Sequence, residues 1–219
     1  VMEALGRALS VEPYLGTVVM AAGGIASVGS KEQKDYLLPM VMNGEMRLAC
    51  AFGEPGSRYD LSHVETTARE EGGFWILDGR KSVVVHGAVA DLLVVSARTA
   101  GAVGDRDGIS LFFVNPGEEG VTGREYPTYD GMRAAEIGFE NVQISSDSLI
   151  GVAGNGLPIL ELIVDRAMAA LCAEAVGAME ALNDATLEYL KTRQQFGVPI
   201  GRFQALQHRM VDMLMHAEQ

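Results

Sequence analysis

The sequence predicts an α+β fold in three parts: helices over residues 1–45, a β barrel or sandwich over 46–155, and the opening of a helical bundle over 156–219. Three observations predict it. Apolar spacing is helical up to Asn43, changes to short β-type runs from Met46 to about Val142, and returns to three- and four-residue steps from Pro158. Turn chemistry at Glu71-Gly72-Gly73, at 104–108 and at Pro116-Gly117 separates the β-type runs. Nowhere do strands alternate with helices, which argues against a doubly wound parallel sheet.

In the first part, Ser30 is placed to cap a short amphipathic helix opened by Lys31-Glu32-Gln33-Lys34. Tyr36, Leu37, Met40 and Val41 are among its apolar residues, and Gly44 stops it. The β-type runs of the second part are 48–52, 64–69, 74–81, 92–98, 109–114 and 135–142. Short strands at this spacing build barrels or sandwiches. The glycine cluster at 151–156, GVAGNG, follows a loop and lacks a βαβ context, so it reads as a linker rather than a dinucleotide fingerprint. In the third part Leu160, Ile163, Ala167, Leu171, Ala175, Met179 and Leu182 form one apolar face of a helix roughly 50 Å long if unbroken. Phe203, Leu206, Met210, Met213 and Ala217 form the face of the next. Such stripes are core or subunit interface.

Composition narrows the function classes. Net charge is −12, from 17 basic and 29 acidic residues, which argues against a nucleic-acid binder. Hydrophobic residues make up 48% and charged residues 21%, so the chain is globular. No apolar run approaches the length that crosses a bilayer. Cys50 and Cys172 make no disulfide framework, and His63, His208 and His216 show no metal-ligand spacing with one another or with either cysteine. A reducing cytoplasm fits, with neither nucleic acid nor membrane as partner and no metal. A helical pattern is under way at Val1 and still running at Gln219, so the chain reads as the middle of a longer polypeptide.

The stretch 193–207, RQQFGVPIGRFQALQ, joins the two C-terminal helices. An Arg at a helix end offers a fixed fork of donors suited to phosphate or pyrophosphate. Spacing alone shows only a polar corner between helices. The stretch resembles the acyl-CoA dehydrogenase family, whose members carry R-x-x-F-G-x-P-[IL]-x-x-[FHL]-Q-x-x-Q there; Arg193, Phe196, Gly197, Pro199, Ile200, Phe203, Gln204 and Gln207 all fit. Four more patches are similar to the family's motifs, namely GSKEQKDYLLPMVMNGE at 29–45, AFGEPGSRYDL at 51–61, LDGRKSVVVHG at 77–87 and FENV at 139–142. Gly131, Arg133, Asp165 and Ala175-Val176-Gly177 also match family positions.

The resemblance implies FAD as cofactor and an acyl-CoA as substrate. It implies removal of an α-proton by a carboxylate while the β-hydrogen leaves as hydride. It assigns Phe52, Gly53, Tyr59, Val83, Val85, Arg193, Gln195, Phe196 and Gln204 to the cofactor, and Tyr59 and Asp165 to the substrate. The expected base is a Glu beyond Gln219, and the alternative base position of some members is Ala167 here. The usual neighbouring Arg of many members is Met168. Other departures are Gly53 for a hydroxyl residue, Tyr59 for a small serine, Val83 for the aromatic along the flavin, Val85 for Thr or Ser, and His86 for Asn. His86 reads as an edge histidine rather than a catalyst.

Within the family, EPGSRYDL and RDGISLFFV are most similar to small subunits acting on pimeloyl-CoA, with Arg58 the candidate for a distal carboxylate. The alternatives are a non-catalytic partner subunit of a heteromeric dehydrogenase and a flavin oxidase or monooxygenase. All three imply a homo- or hetero-oligomer, dimer or tetramer, because Arg193 and Gln204 act across an interface in the family. The resemblance also implies an electron acceptor such as electron-transfer flavoprotein.

Overall fold

The computed structural model describes residues 1–219, which pack into two compact units: a β unit, Val11–Ala167, and a helical unit made of Val1–Ser10 and Met168–Gln219. The elements in chain order are α1 (Met2–Ala8), a π-helical segment (Leu15–Ala22) continuing as α2 (Gly23–Val28), α3 (Lys31–Met42), β1 (Leu48–Ala51), β2 (Thr67–Glu71) and β3 (Phe74–Val85). There follow β4 (Leu92–Arg98), β5 (Ile109–Val114), β6 (Val121–Pro127), β7 (Arg133–Ser145), β8 (Leu149–Ile150), α4 (Leu157–Thr192), β9 (Gln194–Gln195), β10 (Val198–Pro199) and α5 (Gln204–Glu218). The α+β class and the order of helices, sheet and helices hold. No helix is long and apolar enough to cross a membrane.

The β unit is built on one mixed sheet in the order β6-β7-β3-β2-β4-β5-β8, with β1 parallel to β4. Its middle joint is a single pair, Thr67 with Arg98. The sheet bends there into two halves that face each other as a sandwich. Trp75, Leu77, Ile137 and Phe139 from one half meet Leu93, Val95, Phe112 and Val114 from the other. The Trp75 and Phe112 rings tilt together at 5.2 Å between centroids. Each fully buried side chain of this size contributes about 1.5–3 kcal/mol.

Strands β4 and β5 are buried on both faces. Their alternate residues Val94, Leu111 and Phe113 belong to a second core with Ala21, Ile25, Leu37, Ile159 and Ile163 from the helices. The opening turns of α4 therefore pack with the sheet, inside the β unit. The edge strand β1 is closed by Thr17, whose Oγ1 donates to the Leu48 carbonyl at 2.8 Å and accepts the Leu48 N–H at 3.2 Å.

Ser30 caps α3 as expected, and Gln33 completes a reciprocal box: Ser30 Oγ accepts the Gln33 N–H at 3.1 Å, and Gln33 Oε1 accepts the Ser30 N–H at 3.0 Å. Gln33 Nε2 also donates to the Leu149 carbonyl at 2.9 Å. Asn43 ends the helix, and Gly44 follows at φ 73°. The run expected at 64–69 begins as a strand only at Thr67, and β6 and β8 were not expected at all.

In the helical unit α1 crosses α4 with backbones nearly touching. A Cβ on Gly6 would sit 1.9 Å from the Glu174 carbonyl oxygen, and one on Gly177 would sit 1.9 Å from that of Glu3. Arg7 Nη2 reaches Asp184 Oδ2 at 2.6 Å beside this crossing. The helix is unbroken over its 36 residues. Its predicted stripe is buried at Leu160, Ile163 and Ala167 but exposed at Leu171 and Leu182.

Candidate functional site

The two motif loops of the β unit meet through backbone. The Ser82 N–H donates to the Gly53 carbonyl at 2.8 Å, which sets Phe52 and Gly53 beside the outer end of β3. There the outward residues Val83 and Val85 are 60% and 40% exposed, while Val84 between them is buried at 1%. They form an exposed apolar edge. Val83 has φ 52°, the left-handed region that β-branched residues avoid at a cost of roughly 1–2 kcal/mol.

Arg58 and Tyr59 ride on the loop between β1 and β2. Arg58 has φ 50° and is exposed, with no hydrogen bond or ion pair within the chain; Tyr59 is fully exposed. Asp60 turns inward on its own loop, its Oδ1 accepting the Ser62 N–H at 2.9 Å and Oγ–H at 2.7 Å. His86 stands in the left-handed region, half-buried. Burial holds its pKa below the ordinary value despite Asp130 and Glu12. Asp165 is exposed on α4.

Sequence reasoning missed what organises this loop. Glu54 and Lys81 form a buried ion pair, Lys81 Nζ to Glu54 Oε1 at 2.5 Å, with side-chain exposures of 2% and 0%. Lys81 Nζ also donates to Ser96 Oγ at 3.0 Å. The same carboxylate accepts the Glu65 N–H at 2.7 Å and the Thr66 N–H at 3.1 Å, so it closes the neck of the loop. Burial pushes the Lys81 ammonium down to about 8 against the pull of Glu54. Burial also works to raise Glu54, but the Lys81 charge and hydrogen bond, with Thr66 and the Glu65 N–H, outweigh it and hold the carboxyl low.

Arg98 holds the far side of the neck. Its guanidinium donates only to carbonyls: Nε to Val64 at 3.1 Å, Nη1 to Ala100 and Asp107 at 3.3 and 3.1 Å, and Nη2 to Ser62 and Asp105 at 2.8 and 3.2 Å. A signal for Lys81 was present in the sequence. It stands in phase with the inward residues Trp75 and Leu77, and a lysine on a core-facing position requires a partner.

The stretch 193–207 is not a simple corner. Gln194–Gln195 pairs with Val198–Pro199 as a two-residue hairpin, and both turn residues, Phe196 (φ 54°) and Gly197 (φ 78°), are left-handed. Phe196 at the tip is 90% exposed and meets Phe203 edge-on at 6.1 Å. Gln207 Nε2 anchors the following turn at the Gly201 carbonyl, 2.8 Å away. The side chains of Arg193, Gln195 and Gln204 are exposed and have no hydrogen-bond partner within the chain. The predicted site residues thus fall in two groups, Phe52, Gly53, Val83 and Val85 on the β unit and Arg193, Gln195, Phe196 and Gln204 on the helical unit.

Two family models match this chain. The acyl-CoA dehydrogenase middle-domain model matches residues 49–142, and the acyl-CoA dehydrogenase C-terminal-domain model matches 154–219. The chain belongs to the acyl-CoA dehydrogenase family. It is 35% identical over 219 residues to 3-(aryl)acrylate reductase of Clostridium sporogenes, covering 97% of this chain and 58% of that protein. Among solved structures it superposes on butyryl-CoA dehydrogenase from Megasphaera elsdenii with a TM-score of 0.92 at 28% identity, covering 99% of this chain and 58% of that one. It also superposes on the FAD complex of PigA with a TM-score of 0.91 at 29% identity, covering 100% and 58%. The chain spans a little over half the length of these family members.

Proposed function

We propose that the protein is a flavin-dependent acyl-CoA dehydrogenase, which takes hydrogen from Cα and Cβ of an acyl-CoA thioester and leaves the 2-enoyl thioester. The observation that carries this reading is the junction of the two motif loops, where Ser82 bonds Gly53 and the exposed edge of Val83 and Val85 stands beside them. Such an edge fits one face of a flat, largely apolar ring. The free donors of Arg193 and Gln195 at the hairpin tipped by Phe196, with Gln204 at the start of α5, fit a pyrophosphate presented by a neighbouring subunit.

FAD, when bound, supplies the acceptor for the hydride that leaves Cβ. The chain's own residues bind and orient. Val83 and Val85 would pack against the ring without stacking or a polar anchor. Phe52, Gly53 and Tyr59 would face the isoalloxazine or the thioester end, and Asp165 would bind substrate near the thioester arm. None of the residues named here is assigned as the base for the α-proton. In this reading the protein works in the cytoplasm as a homo- or hetero-oligomer and passes electrons to an acceptor such as electron-transfer flavoprotein. A second reading, a flavin-poor partner subunit, is favoured by the departures at Gly53, Val83, Val85 and Met168.

The substrate class we propose is a dicarboxylyl thioester such as pimeloyl-CoA, with Arg58 free to meet its distal carboxylate. The test is the visible spectrum of the purified protein, alone and with its partner subunit, before and after pimeloyl-CoA or a fatty acyl-CoA. Bleaching by pimeloyl-CoA, weakened in Arg58→Ala for that thioester alone, supports the reading. Equal weakening for both thioesters removes the role of Arg58, and a colourless protein active only with its partner favours the second reading.

A further inference from the structure

Strand β3 carries one residue more than β7 between two of their pairs: Lys81 faces Ile137, and Val84 faces Ala135. The extra residue is a bulge, and Glu136 lies opposite it. The bulge breaks the two-residue alternation. Lys81 and Val84 both point into the core, and Val83 and Val85 both point out. The two backbone donors of the bulge bond outside the β3–β7 ladder. The Ser82 N–H goes to the Gly53 carbonyl at 2.8 Å, and the Val83 N–H reaches Glu136 Oε1 at 3.4 Å.

Glu136 has two stronger ties. Its Oε2 accepts from Ser82 Oγ at 2.9 Å, and its Oε1 accepts from the Tyr126 hydroxyl on β6 at 3.0 Å. Arg80 Nη2 adds a contact at 3.4 Å. One half-buried carboxylate thus grips both residues of the bulge and is itself braced from the next strand. Val83 keeps its left-handed φ only while its surroundings over-determine it.

We propose that Glu136, braced by Tyr126, is a positioning residue for the flavin: it fixes the bulge at Ser82 and Val83 and so sets the tilt of the edge on which the ring lies. This rests on the reading of Val83 and Val85 as flavin-facing. Glu136 acts through Val83 and Ser82 rather than by touching the ring.

The experiment compares the full-length protein, in its assembled form, with Glu136→Ala, Tyr126→Phe and Val83→Gly. The readouts are FAD dissociation constant, the shape of the long-wavelength flavin band, the flavin midpoint potential and the melting temperature of the apoprotein. Glu136→Ala is expected to weaken FAD binding by roughly tenfold or more, the size of one lost hydrogen bond to a charged group, and to alter the flavin band. Tyr126→Phe, a small change that keeps the ring, shifts the same readouts in the same direction by less. Val83→Gly weakens FAD binding while the apoprotein melts no lower. A lowered melting temperature in Glu136→Ala or Tyr126→Phe, with FAD affinity, band shape and potential all unchanged, overturns the proposal and leaves the flavin reading intact. A parent protein that takes up no FAD with or without a partner subunit overturns both.

Discussion

Replacing Glu54 by Gln tests how the motif loop is held. The parent carboxylate meets a fully buried ammonium at 2.5 Å and two backbone N–H groups at 2.7 and 3.1 Å. The amide keeps one acceptor oxygen and turns an NH2 toward donors that need an acceptor. Removing one member of a buried pair costs about 3–5 kcal/mol, of which an orphaned buried N–H accounts for about 1–3 kcal/mol. For a chain of this size, that lowers Tm by about 6–20 °C. The double variant Glu54→Gln/Lys81→Met removes the stranded charge and is expected to regain all but the orphaned N–H, about 1–3 kcal/mol.

Urea unfolding followed by Trp75 is the assay, because this sole tryptophan lies in the sandwich core. The pH dependence has a definite sign. Folded Lys81 titrates at about 8, below its ordinary value of 10.5, so the folded state sheds its proton first and stability rises with pH between those values. Without Glu54 the folded pKa falls further and the rise starts at lower pH, so the deficit of Glu54→Gln shrinks from neutral pH towards 8. The depressed Glu54 carboxyl of the parent adds stability above its ordinary value of 4.5, and that contribution is lost as pH falls through the folded value. A Glu54→Gln variant within about 1 kcal/mol of the parent at neutral pH refutes the reasoning, as does a deficit that widens as pH approaches 8.

Arg98→Lys leaves at least two of five carbonyls without a donor, since an ammonium has three; a loss of about 2–4 kcal/mol is expected, with faster proteolysis within 99–108, and unchanged cleavage there contradicts it. Gly177→Val places a side chain where the Glu3 carbonyl sits 1.9 Å from the Cβ position, so α1 is expected to lift from α4 and its amides to exchange rapidly; protection equal to the parent counts against the close crossing.

The fold was legible where one physical signal dominated. Ser30, Gly44 and the stripe from Leu160 to Ala167 each carried a cap, a stop or a buried face that the structure repeats. Strand β6 was not legible, because its residues are mostly exposed at an edge and show no apolar alternation. The run at 64–69 reads as β-type, whereas side chains distant in sequence, Glu54 and Arg98, hold 62–66 as loop. The hairpin was hidden because Phe-Gly lacks the Asn-Gly signature of a two-residue turn. The bulge opposite Glu136 was hidden for a different reason: it depends on a count of residues between two strands fifty positions apart, which no local pattern encodes.

Strands β4 and β5 carry a consequence for how the sheet finds its alignment. Most strands are fixed because a slip by one residue would turn apolar side chains to water. In β4 and β5 both faces are covered, so a slip would trade one core for the other with little hydrophobic loss. The discrimination falls to the few polar groups they carry. Ser96 meets only Lys81, Arg98 fits only its ring of carbonyls, and Ser110 bonds Thr99 Oγ1 at 2.8 Å and the Gly154 N–H at 2.8 Å. These buried hydroxyls and charges act as keys along an otherwise featureless seam. Substituting them with apolar residues of equal size should preserve the core volume while allowing the strands to pair out of step.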